Sequence, residues 1–514
     1  MKDAIARYEQ MLQAKWAVPP YAQLAAARAY LYERQPEKAR DIYAAALPHE
    51  PGNVQSRVRY VYALLESEEY GVAYQQIDQL SASTNEWINP EYVQIRNPNP
   101  DYTLVQLTGA TIRTYTDRPE DGQVRLESLA QRAPYNSEIR ATLASTYDLR
   151  GWHHRAEDDL AWLRAVDPAD VWIKVGLFES RMALGDYRGA EPEFEGALQS
   201  VPEERAVQKA QREWQTHNLS ELTVDARVGK STAGDNVSPF GDRERTFDAH
   251  LYSAPLAYDW RFFVHGQSAS ATYSGVNVAR PAAGGGAEYR VRDLTLTGEV
   301  LNIGKTGSGG LVSGDYHVGE HLSIDAGAEK NSLSAPLRAY ETGVTADNIS
   351  GGVTYRWNES RSVNLSADRM NLSDHNLRLA AGVSWTERLV TGPVYKLDVT
   401  PEYYASKNSL QSPLIRYFNP IRDHFAGLTL RNEFTQINRY ERSLRHEFKL
   451  VMGSYTQEPF ARRKVLNAVE GKYEAIYSLD DRLKLRLGAG RSIHPYDGVT
   501  VAENFATASA DWMF

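Results

Sequence analysis

Two hydrophobic periods divide the chain. Up to about residue 218 apolar residues recur every three to four positions, and from residue 219 they alternate singly with polar ones. The first pattern predicts helices and the second predicts strands. ELTVDARVGK sets Leu222, Val224, Ala226 and Val228 on one face, against Thr223, Asp225 and Arg227 on the other. HLSIDAGAEK does the same with Leu322, Ile324, Ala326 and Ala328, and SVNLSADRM and DRLKLRLGAGR repeat it. Turn signals separate the runs: WNES at 357–360, LSDHN at 372–376, SLDDR at 478–482 and HPYDG at 494–498. The segment therefore divides into about 16 strands of about 9–15 residues, against about five or six in a soluble sandwich. That length suits a tilted crossing of a bilayer. One face is charged and the other carries Leu, Val, Ala, Tyr and Trp, which predicts a closed barrel with lipid outside and water inside. A large soluble β-sandwich or propeller is the competing reading.

The helical half repeats every 34 residues. Ala27, Tyr30, Ala39, Tyr43, Ala46 and Pro51 fill the small, aromatic, small, aromatic, small and proline positions of a helix-turn-helix unit. The same register gives Leu143, Ala144, Tyr147, Ala156, Leu160, Leu163 and Pro168, and then Leu177, Phe178, Arg181, Ala190, Phe194, Ala197 and Pro202. Weaker copies run through 54–87 and 103–136. Small residues let paired helices approach, aromatics fill the gaps between units, and proline stops the second helix. The whole looks like a tetratricopeptide (TPR) array. Residues 85–101, rich in Pro and Asn, break the register and predict a loop between repeats. Met1 begins inside a second-helix pattern (Ala4, Tyr8, Leu12), which implies that natural sequence precedes it.

Composition narrows the function. The net charge is −9, with 24 basic and 32 acidic residues in 1–218 and 33 and 34 in 219–514, which argues against nucleic acid as a partner. The chain has no cysteine, hence no disulfide or thiolate metal site. It has no apolar run of 18 residues and no secretory leader in residues 1–20. No nucleophile elbow, HExxH or other catalytic constellation is present, and no cofactor or metal site is expected. The glycines of PAAGGGAEY (281–289) and KTGSGG (305–310) read as loops or turns rather than a phosphate loop. His153 and His154 read as surface residues of an inter-helix turn. The expected organisation is a multidomain chain, an all-α TPR solenoid over 1–218 and a transmembrane antiparallel barrel over 219–514.

This order of domains, with LAQRAPYNSEIRATLASTYDLRGWHHRAEDDLAWLRAVDP at 129–168 before the strands, resembles the outer-membrane exporters of biofilm polysaccharides. Among them it is most similar to the poly-β-1,6-N-acetylglucosamine export porins, the PgaA family. The resemblance implies a barrel in the bacterial outer membrane and a periplasmic TPR domain that docks a periplasmic polysaccharide deacetylase or the polymer. It also implies export of a partly deacetylated, cationic polymer through an aqueous lumen. A cellulose-type exporter and a barrel-anchored TPR scaffold are the alternatives. Strand alternation points Asp225, Glu299, Asp325, Asp368, Asp398, Glu402, Glu470, Glu474 and Asp511 inward, with Arg227, Lys396, Lys472, Lys484 and Arg486 on the same face. Trp260, Trp357 and Tyr403 are candidates either to stack on sugar or to join an interfacial girdle. Tyr115, Asp148, Trp172 and Glu179 are candidates for the concave TPR face. The closing ADWMF, with Trp512 and Phe514 on one face, resembles the C-terminal signal read by the barrel-assembly machinery.

Overall fold

The computed structural model describes residues 1–89, 95–232, 241–412, 414–458 and 466–514. The chain forms two compact units, Met1–Leu149 and Arg150–Phe514. Helix gives way to strand between His217 and Glu221, so the last four helices before the barrel belong to the barrel's unit.

The first unit holds α1 (Lys2–Gln13), α2 (Pro20–Tyr32), α3 (Pro36–Ala46), α4 (Val54–Glu66), α5 (Tyr70–Ser83), α6 (Pro100–Tyr115), α7 (Pro119–Arg132) and α8 (Ser137–Leu149). Its core is made of the repeat positions. Ala27, Tyr30, Ala39, Tyr43 and Ala46 are buried together where α2 packs on α3 and α4. Proline at the first helical position starts α2, α3, α6 and α7, where its missing N–H loses nothing. The expected inter-repeat loop holds a two-residue ladder, Trp87–Ile88 with Asn97–Pro98, and its residues 90–94 lie outside the described residues.

The second unit opens with α9 (His153–Val166), α10 (Val171–Ala183), α11 (Tyr187–Ser200) and α12 (Arg205–His217). Sixteen strands follow in one closed antiparallel barrel. They are β1 (Glu221–Ser231), β2 (Arg243–Tyr252), β3 (Trp260–Tyr273), β4 (Val276–Val291), β5 (Leu294–Asn302), β6 (Ser308–Val318), β7 (Leu322–Lys330) and β8 (Ala346–Asn358). Then come β9 (Arg361–Leu372), β10 (Leu377–Val390), β11 (Tyr395–Asn408), β12 (Arg422–Arg439), β13 (Arg442–Glu458), β14 (Leu466–Leu479), β15 (Leu483–Tyr496) and β16 (Val499–Met513). β16 pairs with β1 from Glu503↔Ser231 to Met513↔Glu221, and Phe514 exchanges main-chain bonds of 2.9 and 3.1 Å with Ser220. The four turn signals of the sequence all fall at strand ends. The glycine runs do not behave as expected: Gly284, Gly285 and Gly286 lie within β4, and Gly309 and Gly310 open β6 after a 3-10 turn at Gly304–Thr306.

Helices α9–α12 are fastened to the barrel end where β1 begins and β16 finishes. Trp152 Nε1 donates to Trp357 O at 2.8 Å, and His154 Nε2 meets Asp293 Oδ2 at 3.0 Å. Arg292 pairs with Glu157 at 2.8 Å, Arg188 with Asp259 at 3.0 Å, and Arg212 with Glu441 at 2.7 Å. The main chain joins in, Asp293 N donating to Leu184 O at 2.9 Å. His154 is thus a docking residue rather than a free surface one, because α9 starts at His153 and turns His154 toward the strand turn at Asp293.

The joint contains a titratable group. His217 stacks on Tyr187 with centroids 4.1 Å apart, and burial, helped by the nearby Arg290 and Arg261 charges, pushes its imidazole down to about 4. A base lowered on folding supports the folded joint fully above its ordinary value, and that support is lost as pH falls from about 6.5 toward about 4. Amide exchange in α12, corrected for intrinsic rate, should be several-fold faster at about pH 5 than at about pH 7.5. His217→Phe, which keeps the stack, should remove that difference.

Candidate functional site

Strand register defines the barrel's two faces. The outward face presents exposed apolar side chains on strand after strand, Val228, Phe262, Val300, Val312, Leu365 and Leu487 among them, as lipid contact requires. Trp260 and Tyr403 are on this face, and Trp357 joins it through Tyr355 (4.7 Å) and Trp385 (5.4 Å). Trp260 pairs with Tyr289 at 4.8 Å, and Trp512 with Phe514 at 4.6 Å. Trp260, Trp357 and Tyr403 thus stand on the side of the pleat away from the lumen, the side of the girdle alternative. Trp260, Trp357 and Trp512 belong to an aromatic belt at the helix-bearing end.

All nine expected carboxylates fall on the opposite, inward face, but they differ in what they meet. Asp398 is buried between Arg388 (2.7 Å) and Arg431 (3.1 Å). Glu474 accepts from Lys472 at 2.7 Å, Asp511 pairs with Arg486 at 3.0 Å, and Glu402 accepts from Thr429 at 2.8 Å. Glu299 is buried against His265, with Oε1 2.5 Å from Nδ1. Asp225, Asp325, Asp368 and Glu470 make no ion pair among the described residues.

The charges are segregated around the wall. β10–β16 interleave acids and bases, as in the Arg431 cluster with Asp398, Glu433 and Glu447. β5–β9 carry inward Glu299, Asp315, Asp325, Glu329 and Asp368 among Thr, Ser, Asn and Gly, with Arg356 and, 3.0 Å from Asp315, His317 as their inward basic residues among those described. Asp315 and Asp325 stand directly opposite each other in the β6–β7 register, a like-charge pairing that disfavours the bare sheet. Gly352 on β8 makes room for Asp325, since a Cβ there would collide with its carboxylate. Thr295, Thr297, Ser313 and Ser350 line the same groove. Asp315 and Glu329 escaped the sequence reading, although the period-2 pattern that selected Asp325 places both on its side.

The far end of the barrel is narrowed from within. Between β7 and β8 the chain turns inward and forms α13 (Leu337–Glu341), with Tyr340 packed against inward Tyr273, Val278, Ala282 and Leu301. Buried Arg280 donates to Ala335 O at 2.7 Å and Leu333 O at 2.6 Å. The segment after β11 adds Tyr417, which donates to Asp374 at 2.8 Å. Nothing in hydrophobic periodicity marks these loops as interior.

Sixteen closed strands, an apolar outer belt and a polar interior describe a membrane pore, and comparison with known proteins identifies its kind. The family described as the PgaA membrane beta barrel domain matches residues 216–509. The chain belongs to the PgaA family. A poly-beta-1,6-N-acetyl-D-glucosamine export protein from Escherichia coli K12 is 25% identical over 474 residues, and its O157:H7 counterpart matches equally. The match takes in 89% of this chain and 57% of the relative, so the chain spans little more than half the length of these curated proteins. A solved structure, a bacterial polysaccharide outer membrane secretin, shares the barrel fold at a TM-score of 0.52 and 24% identity, covering 58% of this chain and 99% of that one. This PgaA-family barrel is accordingly an outer-membrane barrel, with helices α9–α12 on its periplasmic rim and the inturned loops at its extracellular mouth.

Of the helical candidates, Tyr115 and Trp172 are exposed, at 59% and 57%, on α6 and α10. Asp148 lies in the last turn of α8, and Glu179 on α10 is engaged by Lys209 of α12 at 2.7 Å. Arg280→Ala would remove two charged hydrogen bonds holding the inturned loop, weakening it by about 2 kcal/mol or more. Single-channel conductance in a planar bilayer should rise, with open dwell times about 30-fold longer or more. Unchanged conductance would show that the loop does not obstruct the pore.

Proposed function

We propose that this chain exports an exopolysaccharide through the barrel, and that the polymer is partly deacetylated poly-β-1,6-N-acetylglucosamine. The observation that carries the reading is the acidic wall of β5–β9, where Asp315, with only His317 beside it at 3.0 Å, faces Asp325, which makes no ion pair among the described residues. A polymer with free amines supplies the missing positive charge, and its hydroxyl groups meet the Ser and Thr of the same groove. Many weak, solvated contacts attract such a chain without trapping it, which transit requires. The likeness to the Escherichia coli poly-beta-1,6-N-acetyl-D-glucosamine export protein supports the choice of polymer. In this reading the mixed wall of β10–β16 holds most of its charges in internal pairs, and the work of attraction falls mainly to the opposite side. Exposed Tyr115 on the first unit and, separately, exposed Trp172 on the second are each offered to a periplasmic polymer-modifying partner, such as a deacetylase, or to the polymer itself. The role is passage rather than catalysis.

Charge reversal separates this from a neutral-polymer exporter. Asp325→Lys with Asp368→Lys should lower export of the cationic polymer by about tenfold or more, since two reversals on a partly screened wall remove at least about 1.4 kcal/mol. Lys484→Glu on the mixed wall should change it little. Equal export by all three proteins, each shown folded by its mobility shift on boiling, would overturn the electrostatic reading.

A further inference from the structure

We propose that Asp248, His250 and His265 form a binding site for a zinc-class divalent ion on the inner wall of the barrel. The residues lie on neighbouring strands β2 and β3, and one donor atom from each falls within 4.8 Å of the others. His250 Nδ1 is 3.2 Å from Asp248 Oδ1, and His265 Nε2 is 3.3 Å from Asp248 Oδ2. Metal bonds of about 2.0–2.1 Å at tetrahedral angles separate neighbouring donors by about 3.3 Å. The two imidazoles stack with centroids 3.9 Å apart, which brings a nitrogen of each ring to the same carboxylate. Two imidazoles and one carboxylate suit zinc, copper or nickel rather than magnesium or calcium, which take oxygen ligands.

The second observation is how His265 is held. A metal-binding imidazole nearly always gives its other nitrogen to a carboxylate or carbonyl, which fixes the ring and its tautomer. His265 Nδ1 meets Glu299 Oε1 at 2.5 Å, with both side chains buried, leaving Nε2 for the cluster. Glu299 reaches it from β5, across the whole of β4. The residues of β4 that stand opposite His265 and Glu299 are Gly284 and Gly286. Neither sends a side chain into the gap, and a Cβ on Gly286 would lie 2.5 Å from the Phe263 ring. The glycine run that reads as a turn in the sequence is thus what lets the Glu299–His265 contact form. Gln267 donates to Asp248 Oδ2 at 2.8 Å, while its own Oε1 is buried without a donor among the described residues. Asp248 and His250 are only half-buried, so an ion would arrive from the lumen and keep its remaining position for water.

Calorimetric titration of Zn²⁺ into the full, tag-free, chelator-stripped chain in detergent micelles tests the site. One saturable site is expected. Millimolar Mg²⁺ should not compete, His250→Ala and His265→Ala should abolish binding, and Glu299→Gln should weaken it about 10- to 100-fold. Folding of each variant is read from its mobility shift on boiling. Should the histidine variants fail that check, Glu299→Gln and Asp248→Asn decide. No saturable uptake by the unaltered chain, or equal affinity in the folded variants, would overturn the proposal. The titration is indifferent to which polymer the barrel passes.

Discussion

Closure of the sheet is the constraint on which everything else in the second unit depends. A strand in a hydrocarbon layer cannot leave N–H and C=O groups unpaired, and a barrel satisfies them only if its first and last strands meet. Here they meet along β1 and β16, and the pairing extends to the last residue through Phe514 and Ser220. The apolar ending of the chain follows from that closure. Its final strand must show lipid an uninterrupted apolar face, and Trp512 and Phe514 complete the belt at the periplasmic rim.

Closure also fixes the interior. With every backbone group committed, the polar face of each strand can be satisfied only by water, by neighbouring side chains or by what passes through. The two halves of the wall answer differently. β10–β16 satisfy most of their charges internally, through clusters such as Asp398, Arg388 and Arg431, though Glu470 stands outside them. β5–β9 carry carboxylates with few cations and small neighbours; Glu299 and Asp315 meet histidines, while Asp325 and Asp368 make no ion pair among the described residues and are left to the lumen. A net charge near zero over the barrel half conceals this division, because the sum says nothing of which strand carries which sign. The rim is built on a third principle: α9–α12 are held by ion pairs and main-chain bonds to several strand turns, so the last helices form one compact unit with the barrel.

Much of this was legible in the sequence because two periodicities are local properties. A period near 3.6 interrupted every 34 residues yields buried Ala27, Tyr30, Ala39 and Tyr43, and a period of 2 yields sixteen strands with Asp325 and Asp368 inside and Val312 and Leu365 outside. The side of the pleat is set by parity alone, which is why even the inward carboxylates could be named. Partners were not legible, since they depend on which strands become neighbours and in what register. Asp315 opposite Asp325, Glu299 reaching His265 over Gly284 and Gly286, and His154 on Asp293 are contacts between residues 10, 34 and 139 positions apart.

The sequence by itself therefore determined the class of each half, the number of strands and the face each side chain takes. These follow from hydrophobic spacing and backbone geometry within a few residues. The tertiary structure alone decided which carboxylates are neutralised and which remain open to the lumen, that a glycine run lies within a strand and bridges two others, and that two loops turn inward. Each of these is a matter of distance between segments remote along the chain. Local pattern limits such distances, but only the closed barrel sets them.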